Sequence, residues 1–289
     1  MSTNKNDGVS FELYRYTPSL VAAIIFIVLF ALATLYHLYQ VVRTRSWYFT
    51  VFVVGGAFQI IGYICRALAH NDKENIPIYS VGTIMILLAP PLYAASIYMT
   101  LGRLIVRLDA ERLSLVPVKW LTAIFVTGDV IAFLMQAAGG GIMASGTLSA
   151  MTTGEHITIG GLAVQLVFFS IFIVASSIFH YRIRNNPTEK SLSRSRSTTW
   201  ELVMTGLYVA SILILIRSIF RLIEYAQGND GYLISHEVFM YVFDSMLMFF
   251  TMVAMSIFHP SKILSRPSKP RRSKKSHSEN TEFLSQTEV

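Results

Sequence analysis

The chain has 289 residues, 53% hydrophobic and only 14% charged. A soluble domain carries about 25% charged residues, so this composition excludes a disordered chain, a disulfide-stapled scaffold and an ordinary cytosolic enzyme, and it predicts a polytopic membrane protein. The net charge of +7 lies between apolar segments, which makes the membrane surface, and not nucleic acid, the expected partner. Cys65 is the single cysteine, so no internal disulfide can form.

Residues 1–19 form a short N-terminal tail ahead of the first apolar run. Seven such runs follow: Leu20–Val42, Trp47–Ala69, Ile78–Gly102, Trp120–Gly140, Ile157–His180, Trp200–Tyr225 and His236–His259. Each is close to the roughly 20 residues that a helix needs to cross a bilayer, and none alternates as a membrane strand would. The expected fold is therefore an all-α bundle of seven transmembrane helices over residues 20–259. The first run is too long for the apolar region of a cleavable signal and no small-residue cleavage motif follows it, so it is expected to remain as a helix.

Lysine and arginine give the orientation. The connections after the first, third and fifth runs, together with the C-terminal tail, hold 18 of them. The N-terminal tail and the other connections hold 3. This asymmetry predicts an outside N-terminus and a cytosolic C-terminus. Residues 260–289 are rich in Ser, Lys and Arg, with an expected role as a disordered cytosolic tail against anionic inner-leaflet lipid.

Ionisable groups are expensive in hydrocarbon and usually face a bundle interior or a wet cavity. Here they recur with helical spacing. The second run carries Gln59, Tyr63 and Arg66, the sixth Arg217, Arg221 and Glu224, and the seventh Glu237, Tyr241 and Asp244, each at i, i+4, i+7. The fourth adds Asp129 and Gln136, the fifth Gln165, and the first His37 and Gln40. With the predicted orientation most of these fall in the outer half, so a polar substrate-binding cavity open to the outside is expected. Three arginines face four carboxylates there, and Arg66, Asp129 and Asp244 are the deepest candidates. Pro90 and Pro91 interrupt the third run and predict a kink or hinge. Gly55-Gly56, Gly139-Gly140-Gly141 and Gly160-Gly161 predict close helix contacts.

Several chemistries lack their residues. There is no phosphate-binding Walker loop and no H-E-x-x-H, and no two histidines stand at i, i+4, so neither a nucleotide nor a metal cofactor is expected. No lysine lies within the seven runs, which excludes a retinal Schiff base.

The chain resembles the fungal lipid-translocating exporters, a seven-helix family linked to sphingoid long-chain base export and aminocholesterol resistance. The likeness runs from Tyr16-Thr17-Pro18-Ser19 to His259-Pro260. It is carried by His37, Gly62-Tyr63 with Arg66, Ala89-Pro90 with Ala94-Ala95, Tyr98 and Arg103, Asp129, Gln136 with Gly139-Gly140, and Gly160-Gly161 with Gln165. The most specific stretch is Arg217-x-x-Phe220-Arg221-x-x-Glu224, followed by His236-Glu237, Tyr241 and Asp244. One departure stands out: Gln59 occupies a position where the family often has Glu. The resemblance implies a protein of the plasma membrane, or of an endomembrane, that moves or confers tolerance to amphipathic lipids of long-chain base or sterol type, and with no nucleophile–base pair or metal set in the sequence an enzyme is not expected. A receptor-like sensor signalling through its basic loops and tail is the alternative. It lacks the Asp-Arg-Tyr and Asn-Pro-x-x-Tyr marks and the outer disulfide of common seven-helix receptors.

Overall fold

The computed structural model describes residues 19–70, 75–143, 148–192, 194–228 and 231–260. The two tails, residues 1–18 and 261–289, lie outside the described residues, and with them the expectations for those segments. Among the described residues the chain is helical and contains no strand.

Seven helices are long and apolar enough to cross a membrane. They are α1 (Leu20–Thr44), α2 (Thr50–Leu68), α3 (Ile76–Arg107), α4 (Val118–Met143), α5 (Leu148–Asn185), α6 (Arg194–Ala226) and α7 (Glu237–Ile257). The expected number holds, while several bounds move outward. The largest change is at α5, which begins nine residues before the predicted Ile157 and shortens the preceding connection. Polar and small residues such as Thr152, Thr153 and Gly154 depress the apolar signal there, yet their hydroxyls return to backbone carbonyls of the same helix.

Local chemistry sets the ends. Ser19 caps α1 by accepting the Ala22 N–H at 3.4 Å, and Asn75 caps α3 by accepting the Ile78 N–H at 3.2 Å. Pro77 follows in the first turn of α3, where its missing N–H has no helical partner to lose. α1 stops at Arg45, which adopts the left-handed region at φ 54°, ψ 34°. Glycine normally fills such a position, and an L side chain there costs on the order of 1 kcal/mol.

α3 is the centre of the bundle: 72% of its most apolar window is buried, against 22% for α1. It runs unbroken from Ile76 to Arg107 through Pro90 and Pro91, both buried. Both prolines thus lie inside a continuous helix, where they deprive two carbonyls in the preceding turn of their helical partners. α2 packs alongside, because Gly55 lets it approach the Ala89 carbonyl; a Cβ on Gly55 would stand 3.2 Å from that oxygen. Exposed leucine, isoleucine and valine, including Val21, Leu32, Leu35 and Val167, form the lipid-facing surface.

The α4–α5 seam is tighter. A Cβ on Gly139 would lie 2.5 Å from the Gly154 carbonyl oxygen, and a Cβ on Gly154 would lie 2.5 Å from that of Gly139. Gly161 approaches the Ala132 carbonyl in the same way, at 2.7 Å. Of the expected glycine contacts, Gly140 and Gly141 make none within 4 Å, and Gly160 meets only the flexible end of Met135.

At the opposite end from Ser19, the α3–α4 and α5–α6 connections are tied together. Lys190 donates to Asp109 at 2.9 Å and the Thr188 hydroxyl to the Leu108 carbonyl at 2.7 Å. The Lys190 ammonium holds the Asp109 carboxyl below its ordinary range. Both side chains are exposed, so the contact orders the connections more than it stabilises them.

The glycine seam carries a direct test. Gly139→Val should lower thermal stability in detergent by about 1–3 kcal/mol through overpacking, whereas Gly140→Val, one residue away in open space, should be neutral. Melting temperatures followed by size-exclusion fluorescence compare the two; equal melting would show that the seam is not tight.

Candidate functional site

α7 supplies the side chains around which the polar groups collect. It starts with Glu237, next to the start of α1, and both Glu237 carboxylate oxygens accept the Ser19 backbone N–H at 3.0 Å. Arg66, near the end of α2, forms an ion pair with the same carboxylate at 3.2 Å and lies 5.6 Å from the Tyr241 ring centroid. Asp244 lies seven residues further along α7, about 10 Å deeper at 1.5 Å per residue. It accepts from Arg217 Nε of α6 at 2.8 Å, and each side chain is 1% exposed. Near the end of α6, Arg221 and Glu224 pair at 2.7 Å within the helix, both buried, with Arg221 over the Tyr225 ring.

Between these levels α7 is not an α-helix. Residues Tyr241–Ser245 form a π-turn, whose hydrogen bonds span five residues instead of four. The wide turn sends neighbouring side chains to different helices: Asp244 to Arg217 of α6, and Ser245 to the Tyr63 hydroxyl of α2, in a short hydrogen bond. Ser245 was missed by the sequence pattern. Its signal was the buried Tyr63 phenol, which needed a partner. Phe26 of α1 stacks on both Tyr63 and Tyr241, so α1, α2 and α7 share one aromatic column.

The remaining candidates lie elsewhere. Asp129, midway along α4, accepts the Tyr98 hydroxyl of α3 at 3.0 Å. Phe125, Phe169 and Phe172 surround Tyr98, with ring centroids 5.4, 6.2 and 4.5 Å away. Gln136 of α4 donates to Gln165 of α5 at 3.1 Å. Gln59 of α2 is buried, and neither its amide nitrogen nor its oxygen has a hydrogen-bond partner among the described residues. The expected single gathering of polar groups thus divides into an α2–α6–α7 ion-pair ladder, an α3–α4 contact and an α4–α5 contact. Arg66 and Asp244 belong to the ladder, while Asp129 does not.

The charge match follows one to one. Arg66, Arg217 and Arg221 take Glu237, Asp244 and Glu224 respectively. Asp129 is the carboxylate left over: it is 3% exposed and forms no ion pair among the described residues. Near the far end, His37 bonds the Met252 carbonyl at 2.9 Å and Gln40 donates to the Ser256 carbonyl at 3.1 Å, fastening α1 to α7. Among the described residues no three His, Cys, Asp or Glu side chains come together as metal ligands would.

Comparisons with known proteins give the chain relatives of the same kind. Protein RTM1 of Saccharomyces cerevisiae is 37% identical over 286 residues, covering 85% of this chain and 91% of the relative. Protoporphyrin uptake protein 1 of the same organism is 34% identical, covering 86% and 91%. Sphingoid long-chain base transporter RSB1, also of S. cerevisiae, is 29% identical, covering 84% and 72%. No solved structure matches the chain. The family described as RTA1 like protein matches residues 52–267, from α2 to beyond the end of α7. That match takes in every polar contact described above except those made by α1 and Ser19, and the chain belongs to the RTA1-like protein family.

Proposed function

We propose that this protein is a translocator of amphipathic lipid in the plasma membrane, and that its substrate carries a cationic amine, as a sphingoid long-chain base does. The observation that carries this reading is Asp129. Arg66, Arg217 and Arg221 each have a carboxylate, and Asp129 is the buried carboxylate with no basic partner among the described residues. A buried carboxylate needs a compensating cation or a shared proton. The nearby rings of Tyr98, Phe125 and Phe172 add faces that attract an ammonium group. The relatives' names point to two charge types, an amine in the sphingoid base and carboxylates in protoporphyrin, and Asp129 favours the amine in this chain.

The ion-pair ladder serves as the frame of this site. Removing one partner of a buried pair leaves a charge in low dielectric and costs about 3–5 kcal/mol, while replacing both by apolar residues of similar volume is often neutral. Arg217→Met should therefore deplete folded protein, and Arg217→Met with Asp244→Leu should restore it. Abundance and melting temperature report both; a single variant of normal stability would mean that Arg217 is not structural.

The basic asymmetry supports an outside N-terminus, with the Ser19 end of the bundle facing out. Since α4 reaches Met143 and α5 starts at Leu148, a reporter tag belongs between them, at 144–147. Tags there and at the N-terminus should be accessible outside intact cells, and a C-terminal tag should not. External labelling of the C-terminal tag reverses the orientation.

Purified protein in liposomes should move a fluorescent long-chain base with no other component present. Asp129→Asn should reduce that movement by about tenfold or more at normal abundance, because an amide cannot balance an ammonium charge. Asparagine still accepts the Tyr98 hydroxyl, so unchanged movement would reduce Asp129 to a packing contact. If wild-type protein moves no lipid in liposomes, the sensor reading replaces the translocator.

A further inference from the structure

We propose that the groove at the Arg45 end of the bundle binds the phosphate headgroup of an anionic phospholipid. The groove lies between the α1–α2 connection, the last turns of α3 and the first turns of α4, and encloses about 730 Å³. That volume suits a headgroup and the upper part of its chains, being within the range of about 300–1,000 Å³ typical of ligand sites. It lies at the opposite end of α1 from Ser19 and Glu237, apart from the substrate site proposed above.

Charge is the first ground. Arg45, Arg103 and Arg107 line the groove and no carboxylate does. The acids of the adjoining connection, Asp109 and Glu111, line other grooves, and Asp109 is taken by Lys190. The guanidinium groups of Arg45 and Arg103 in one concave site form a match for phosphate, which arginine binds through paired N–H donors. Arg103 is already placed, stacked 4.3 Å over the Tyr48 ring. The Tyr48 hydroxyl is buried in the same wall and has no hydrogen-bond partner among the described residues, leaving a donor for a phosphate oxygen.

Arg45 gives the second ground. Its backbone holds the left-handed conformation in which glycine would be at ease, so the side chain is kept against a local cost. The third ground selects a lipid over a free anion. Met99 and Val118 make part of the lining apolar. Trp47 and Trp120, adjacent in sequence to the groove, are 66% and 61% exposed, as in the aromatic belt at a membrane interface. With the orientation proposed above, the groove faces the leaflet where anionic lipids concentrate.

The test uses the full chain in phosphatidylcholine nanodiscs, titrated with dioctanoyl phosphatidylinositol 4-phosphate. Dioctanoyl phosphatidylcholine and inorganic phosphate run in parallel. The C-terminal basic residues are the same in every variant, so differences between variants report the groove. Arg45→Gly removes a cation and relieves the backbone at once: binding should weaken about tenfold or more while the melting temperature holds or rises. Arg103→Gln and Tyr48→Phe should weaken binding as well. Wild-type affinity in both Arg45→Gly and Arg103→Gln would overturn the proposal. Inorganic phosphate binding as tightly as the lipid would overturn it in favour of a free anion.

Discussion

Hydrocarbon offers a charge no water, and the architecture of this bundle follows from how three arginines in its spans are satisfied. Arg217 has a single escape, the Asp244 carboxylate across the α6–α7 interface, and the pair is sealed from solvent. That contact fixes which face of α7 meets α6. Arg66 then fixes α2 against the start of α7 through Glu237, and Glu237 also receives the Ser19 N–H at the head of α1. Four helices are thereby oriented by carboxylates that belong to one of them, apart from the Arg221–Glu224 pair inside α6. The net free energy of such buried pairs is small, so their main contribution is to exclude other arrangements of the same apolar helices.

The second half of the bundle is assembled by shape. α4 and α5 meet along Gly139, Gly154 and Gly161, where backbones approach more closely than any side chain would allow. In a bilayer the apolar faces gain little by meeting one another, and close packing supplies the contact energy instead. α3 joins the two halves. It packs by Ala89 and Tyr93 on α2, and by Tyr98 on the phenylalanines of α4 and α5. Asp129 lies at this junction, in the half that has no carboxylate–arginine contact among the described residues.

The sequence made the number and type of the helices legible, because hydrocarbon imposes a run length that no soluble packing mimics. It also placed Arg66, Arg217, Glu237 and Asp244 on interior faces, since helical spacing alone carries that information. Partner choice was not legible. Arg221–Glu224 within α6 and Arg217–Asp244 across an interface have equally good spacings, and only the rotation of α7 decides between them. Asp129 looked like a member of the same cluster because depth along the helix is readable and position around the bundle is not. Gln59, expected on one face with Arg66, is buried without a hydrogen-bond partner among the described residues, while Glu237 of α7 holds the arginine. The start of α5 was hidden by hydroxyls that satisfy themselves within the helix.

The π-turn at Tyr241–Ser245 sets the register between the two ends of α7. A π-turn is equivalent to one residue spliced into an α-helix. Winding the same residues as a regular α-helix would rotate everything before the turn by about 100° relative to everything after it. Glu237 and Asp244 lie on opposite sides of most of that splice, and their arginines sit on different helices, α2 and α6. A regularised α7 could keep one ion pair only by surrendering the other. The winding of this helix is therefore governed by electrostatics, and the extra residue acts as the spacer that lets two independently placed cations be served by one continuous segment.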